Sequence, residues 1–447
     1  MSTDVWWEKN PVITRFNPRQ KNLKRIIAML DEVKSWGSGA IEIFAPYRGY
    51  GEYSGLDVLD YYSVDPAFGT MDDLLELVKA AHKKNMAIIA FMNMGYSSIH
   101  HPAFVKACQD KGQGIESTET HYFVWSDTDK KVMDRSLVPY FMNDAGDGHW
   151  QYSDVARSYY WVKWRGTGNN VDLPQFNFGD PIWQDECSKV IKYWMETGID
   201  GMIIDAVNWY TNCNWEINRR TMTDIVLSYG NKFLQPEGAG GFNDDPVSWI
   251  KQGGYNCVQD YGMAIWWNDH DEVRKALKNG DPSGIEKSLA SYRDKVVAAG
   301  GVTYLGPDWG KPLSNQQRIL EVATLATVGE MFHQEALMLE LDWPEDNKNQ
   351  LKRILCMLRE NPAFNSGASR IKLDTNDDRK YYAFIRESAD KTQKILVVLN
   401  FQDSIEQIQV SSKGRHKLVD VFTNELSEFA ENISLTLRPY GYKFFVD

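Results

Sequence analysis

Three acidic residues each close an apolar, strand-like run: Asp205, Glu237 and Asp308. Asp205 ends Gly198-Ile199-Asp200-Gly201-Met202-Ile203-Ile204-Asp205, and Glu237 ends Phe233-Leu234-Gln235-Pro236-Glu237. Asp308 ends Val302-Thr303-Tyr304-Leu305-Gly306-Pro307-Asp308. Carboxylates in this position suit acetal cleavage, in which one attacks or stabilises a cationic carbon and another protonates the departing oxygen. For a retaining reaction the Asp205 and Glu237 carboxyls are expected about 5–5.5 Å apart. Each residue also has a plain structural reading. Asp205 suits a helix N-cap after a strand, Glu237 a surface loop, and Asp308 the turn Gly306-Pro307-Asp308-Trp309-Gly310. Their shared placement favours chemistry, because a parallel barrel presents its reactive groups at the C-terminal ends of its strands.

The elements that would hold them alternate. Val12–Phe16 reads as a strand, and Leu23–Trp36 carries a helical stripe of Ile26, Ile27, Met29, Leu30 and Val33. Ala40–Pro46 is a strand stopped by its proline, Met71–Lys84 a helix, and Ala87–Met92 a nearly continuous apolar strand of the kind buried on both faces. Alternation of this kind as far as about Glu330 predicts an α/β fold, a (β/α)8 TIM barrel. Residues 98–178 break the rhythm with a polar, aromatic-rich and irregular stretch, expected to be an inserted small domain B after strand 3. Alternating strands after residue 360 predict a C-terminal β-sandwich. The expected domains are therefore 1–97 with 179–360, 98–178, and 361–447.

The net charge of -12 argues against nucleic-acid partners and anionic membrane surfaces. No apolar run is long enough to cross a bilayer. The start, Met1-Ser2-Thr3-Asp4, has no secretory character. Five cysteines at wide spacing imply neither a zinc site nor a disulfide framework. A cytoplasmic location is the simplest expectation, with a periplasm also open. No metal and no organic cofactor is expected: His100 and His101 read as loop structure, and Asp144, Asp147 and Asp154 as a solvated loop rather than a calcium site. The chain holds 16 Trp, 22 Tyr and 19 Phe. Most of these rings should be core, but Trp209 and Trp309 follow strand-like runs and could line a sugar cleft.

Several passages together resemble glycoside hydrolase family 13, the α-amylase family. Gly55-Leu56-Asp57-Val58-Leu59-Asp60-Tyr61 with Val64-Asp65-Pro66-Ala67-Phe68-Gly69-Thr70 is similar to the family's GYDVxDY…VDPxFGT passage. His101-Pro102-Ala103-Phe104, Gly198–Val207 and Phe332-His333-Gln334-Glu335 resemble three further family segments. The resemblance covers nearly the whole length. It implies that Asp205 is the nucleophile, Glu237 the general acid/base and Asp308 the carboxylate that stabilises the transition state. It also implies that Asp57 lines the pocket for the non-reducing sugar.

The chain departs from the family pattern at several pocket positions. The family's arginine two residues before the nucleophile is Ile203, and its tyrosine before the matching aspartate is Leu56. Its DxVxNH motif reads Ala90-Phe91-Met92-Asn93-Met94-Gly95, and the histidine before the third carboxylate is Pro307. A guanidinium beside a carboxylate nucleophile holds it ionised and aimed, so Ile203 in its place should raise the nucleophile's pKa unless another donor, such as a Lys or Tyr from the insert, takes over. The expected function is a retaining glycoside hydrolase or transglycosidase acting on α-linked sugars with atypical specificity. The alternatives are a catalytically impaired carbohydrate-binding homologue and a sugar isomerase or transferase on the same scaffold. The expected partner is an oligosaccharide or glycoside substrate.

Overall fold

The computed structural model describes residues 5–128, 150–163, 171–207, 211, 214–238, 245–260, 263, 271–307, 312–411, 416–429 and 432–447. Eight strands build the main sheet: β1 Val12–Phe16, β2 Ala40–Phe44, β3 Ala87–Asn93, β4 Gly201–Asp205, β5 Phe233–Pro236, β6 Cys257–Gln259, β7 Val302–Leu305 and β8 Met331–Glu335. They lie in the order β5-β4-β3-β2-β1-β8-β7-β6, the parallel, nearly closed barrel that the alternating pattern predicts. The chain forms two compact units, Phe16–Ala28 with Glu42–Cys257, and Met1–Arg15 with Met29–Ile41 and Val258–Asp447.

In the first unit, every residue of β3 is buried, as a strand covered on both faces requires. The helix that follows residue 70 runs Met71–Lys83 and starts at a capping box. Thr70 Oγ1 accepts from the Asp73 N–H, and Asp73 Oδ2 accepts from the Thr70 N–H. Its buried face is Leu74, Leu77, Val78 and Ala81, at helical spacing. Helix Pro181–Glu196 begins on the Asp180 cap and leads into Gly198, whose φ of 90° belongs to the left-handed region that glycine adopts readily. Three residues later β4 begins. Gly201 lies so close to Phe233 that a Cβ there would meet the Phe233 carbonyl oxygen at 2.2 Å. This glycine lets β4 and β5 approach in register, Gly201 opposite Phe233 and Ile203 opposite Gln235.

The stretch expected to be irregular is not wholly so. Helix Pro102–Gly112 buries Phe104, Ala107 and Cys108, an i, i+3, i+4 stripe that the surrounding polar residues obscure in the sequence. His101 caps this helix, its Nδ1 accepting from the Ala103 N–H, and burial pushes its imidazole down to about 4. Trp125–Ser126, Trp150–Ser153, Ser158–Lys163 and Leu173–Pro174 form antiparallel pairs. Rings supply much of the packing: Phe176 stacks on Trp183 with centroids 3.6 Å apart, and Phe104 packs against Phe123 and Tyr160. Asp154 is described, whereas Asp144 and Asp147 lie outside the described residues.

In the second unit, the C-terminal segment is antiparallel. Its six-stranded sheet runs Ser369–Leu373, Tyr381–Glu387, Lys394–Asn400, Tyr442–Val446, His416–Asp420 and Leu426–Phe429. A second pair, Glu406–Ser411 with Asn432–Leu437, shares its core. Tyr381, Val398 and Phe445 of the first sheet and Ile408, Val410 and Ile433 of the second form one buried cluster, the interior of the expected β-sandwich. Among the described residues no helix is long and apolar enough to cross a membrane. Cys108, Cys187 and Cys356 are free thiols.

Candidate active site

Three of the predicted site residues, Asp205, Glu237 and Asp57, belong to the first unit. Asp205 is the last residue of β4 and pairs in register with Asn93, the last of β3. Its side chain is 7% exposed. The next residue, Ala206, has φ 44°, an uncommon left-handed conformation for a residue with a side chain. The Ala206 N–H donates to Glu237, whose Oε2 accepts it at 2.9 Å. The Glu237 N–H in turn donates to the Ile204 carbonyl at 2.8 Å. The acid after β5 is therefore tied at both backbone and side chain to the strand end that carries Asp205.

Tyr96 Oη donates to Asp205 Oδ2 at 2.8 Å. Its ring is buried and meets that of Tyr53 edge-on, with centroids 6.3 Å apart. Burial and the charges of Asp205 and Glu237 push the Tyr53 phenol up to about 12. Tyr47 is fully buried and shifted well upward, first by burial and then by the Asp205 charge. Phenols thus surround a carboxylate pair, and at these pKa values they remain O–H donors at neutral pH.

Asn93 organises the floor of this group. Its Nδ2 donates to the carbonyls of Leu56, at 2.6 Å, and Tyr96, at 2.8 Å, while its Oδ1 accepts from the Gly95 N–H at 2.8 Å. Its own carbonyl accepts from Tyr61 Oη at 2.7 Å. In the DxVxNH motif this position is a variable one, and the motif assigns it no role. The structure makes it the clamp between two loops. Asn93→Ala would strand two carbonyls and one N–H in a buried place, a cost of about 2–4 kcal/mol. We expect a matching loss in urea-unfolding stability, and a loss below 0.5 kcal/mol would contradict the clamp.

Asp57 is fully buried. Its Oδ2 accepts from the Glu52 N–H at 2.8 Å, and its Oδ1 is buried without a hydrogen-bond partner among the described residues. Arg19 braces the same loop, donating to the Ser54 carbonyl at 3.0 Å and to Asp65 Oδ2 at 3.2 Å. Ile203 and Leu56 are both buried and apolar. Asp308, Trp209 and Trp309 lie outside the described residues, as does Cys213. Sequence reasoning missed Tyr53, Tyr96 and Asn93. Tyrosines crowded between residues 47 and 96 were the available signal, and nothing local distinguished Tyr96 from a core ring.

A model of the α-amylase catalytic domain matches residues 17–236, and one of the maltogenic amylase C-terminal domain matches residues 372–444. The chain belongs to glycoside hydrolase family 13. The first of these family 13 matches stops one residue before Glu237. The chain is 31% identical over 197 residues to "Trehalose synthase/amylase TreS" of Mycobacterium tuberculosis, a stretch covering 43% of this chain and 31% of that protein. It therefore spans about a third of the length of that relative. Among solved structures, Eubacterium rectale Amy13B superposes with a TM-score of 0.78 at 16% identity, covering 98% of this chain and 96% of the other. The α-amylase from H. orenii superposes at 0.76 and 19% identity, covering 98% and 99%. At these identities the likeness is one of fold.

Proposed function

We propose that this family 13 member is a retaining enzyme that cleaves or transfers α-linked sugars. In this reading an Asp205 oxygen bonds to the anomeric carbon as the glycosidic bond breaks. Glu237 gives its proton to the leaving oxygen, then takes one from water or a second sugar, whose oxygen displaces Asp205. Asp308 would complete the acidic set, with Trp209 and Trp309 lining the cleft.

The observation that carries the proposal is the 2.9 Å bond from the Ala206 N–H to Glu237 Oε2, which links an acid on β5 to the residue beside Asp205. Asp57 supports it: a buried carboxylate oxygen without a donor costs free energy that a sugar hydroxyl would recover. The trehalose synthase/amylase relative makes transfer between sugars as natural an outcome as hydrolysis. The test is the stereochemistry of turnover. Proton NMR of the first-formed product from an α-glycoside should show the α-anomer, and a first-formed β-anomer would exclude retention.

Ile203 favours a second reading, a carbohydrate-binding homologue without turnover, because it leaves an apolar side chain beside Asp205 on β4. A sugar that raises the melting temperature while no glycoside in a broad panel is cut would support that reading.

A further inference from the structure

The proposed reaction needs a carboxylate at Asp205 that is both charged and aimed, and β4 offers it no cation from Ile203. We infer that Tyr96 is the positioning residue for Asp205, a neutral O–H donor that fixes Oδ2 and stabilises its charge. This inference rests on the catalytic reading for its consequence, but not for its physical content.

The geometry makes Tyr96 a rigid donor. Its ring is 1% exposed and lies against Tyr53. Its backbone is pinned on both sides. The Phe176 N–H donates to the Gly95 carbonyl at 2.9 Å, the Ser97 N–H donates to the Pro174 carbonyl at 2.9 Å, and Tyr96 itself bridges to Gln175. Asn93 holds the Tyr96 carbonyl. The tyrosine reaches Asp205 across 109 residues of sequence, so the insert that follows β3 sets the aim of a residue on β4.

Linkage supplies the electrostatic half. Burial, the Asp205 charge and the hydrogen bond itself push the Tyr96 phenol well above its ordinary value. Coupling is reciprocal, so whatever Asp205 does to the Tyr96 proton, the Tyr96 O–H does in favour of the Asp205 anion. The other titratable groups facing this pair among the described residues are Tyr53, Tyr47 and Tyr61, with Glu237 beside Tyr53 and with Arg19 and Asp57 near Tyr47. Of these, Glu237 and Asp57 oppose the anion when charged, Arg19 favours it, and the phenols remain neutral.

The experiment compares wild type, Tyr96→Phe and Tyr96 replaced by 3,5-difluorotyrosine, which keeps the ring and strengthens the donor. In the first arm, protein carrying 13C-labelled aspartate carboxyls is titrated by NMR, with Asp205→Asn assigning the resonance. The Asp205 midpoint should move to higher pH in Tyr96→Phe and to lower pH with difluorotyrosine. Equal midpoints in all three proteins would overturn the inference whatever the protein catalyses. In the second arm, 5-fluoro-α-glucosyl fluoride, whose fluoride leaves without a proton donor, labels Asp205 and is followed by intact mass. Labelling should slow roughly 10- to 100-fold in Tyr96→Phe, with its acid limb displaced upward. Absence of an Asp205 ester in wild type would count against the catalytic reading and leave the first arm to decide the positioning role. Should Tyr96→Phe fail to fold, the difluorotyrosine protein decides both arms by the opposite sign.

Discussion

Asp205→Asn should abolish glycosyl transfer, lowering kcat/KM on any substrate the wild type turns over by ~10⁴-fold or more, because a neutral amide is a poor nucleophile for an acetal carbon. The fold should survive. The replacement is nearly isosteric, and its amide oxygen can still accept from Tyr96, which sits 2.8 Å from Oδ2 in the native protein. Removing a charge that is 7% exposed also removes a desolvation cost and its repulsion with Glu237, so the melting temperature should hold or rise. Initial rates at low conversion, read beside thermal melts, check both halves. Full turnover by a well-folded Asp205→Asn would end its assignment as nucleophile.

Glu237→Gln should separate substrates by their leaving groups. General acid–base assistance contributes about 10²–10⁴-fold, and it matters most where the departing oxygen is basic. A natural disaccharide should therefore lose most of that factor. An aryl glycoside with an acidic phenol needs no proton to depart and should keep a fast first step, with a slowed second step visible as a burst. The glutamine oxygen can still accept from the Ala206 N–H, as Glu237 Oε2 does at 2.9 Å, so the loop should keep its shape. Equal losses on both substrate classes would remove Glu237 from the proton-transfer role.

Both expectations depend on the left-handed turn at Ala206. Its φ of 44° costs local strain, and its N–H meets the second acid. Strain kept beside these two carboxylates is consistent with a site whose geometry matters more than its stability. Asn93 adds to this by holding the Leu56 and Tyr96 loops from beneath.

The barrel was legible along the chain because its signals are local. Apolar runs such as Ala87–Met92 and the stripe of Met71–Lys84 carry their period within a dozen residues. That Asp205 ends β4 and Glu237 follows β5 was legible for the same reason: a carboxylate that abruptly ends an apolar run is visible from its neighbours. Helix Pro102–Gly112 was not, since its buried stripe of Phe104, Ala107 and Cys108 is short and set among charges. Tertiary structure decided what surrounds Asp205. Tyr96 lies 109 positions away, and its O–H finds Oδ2 only because β3 pairs with β4 and residues 174–176 pin the loop between them. Residue types and periods specify elements, whereas a hydrogen bond between distant side chains needs register and loop path, which no local pattern encodes.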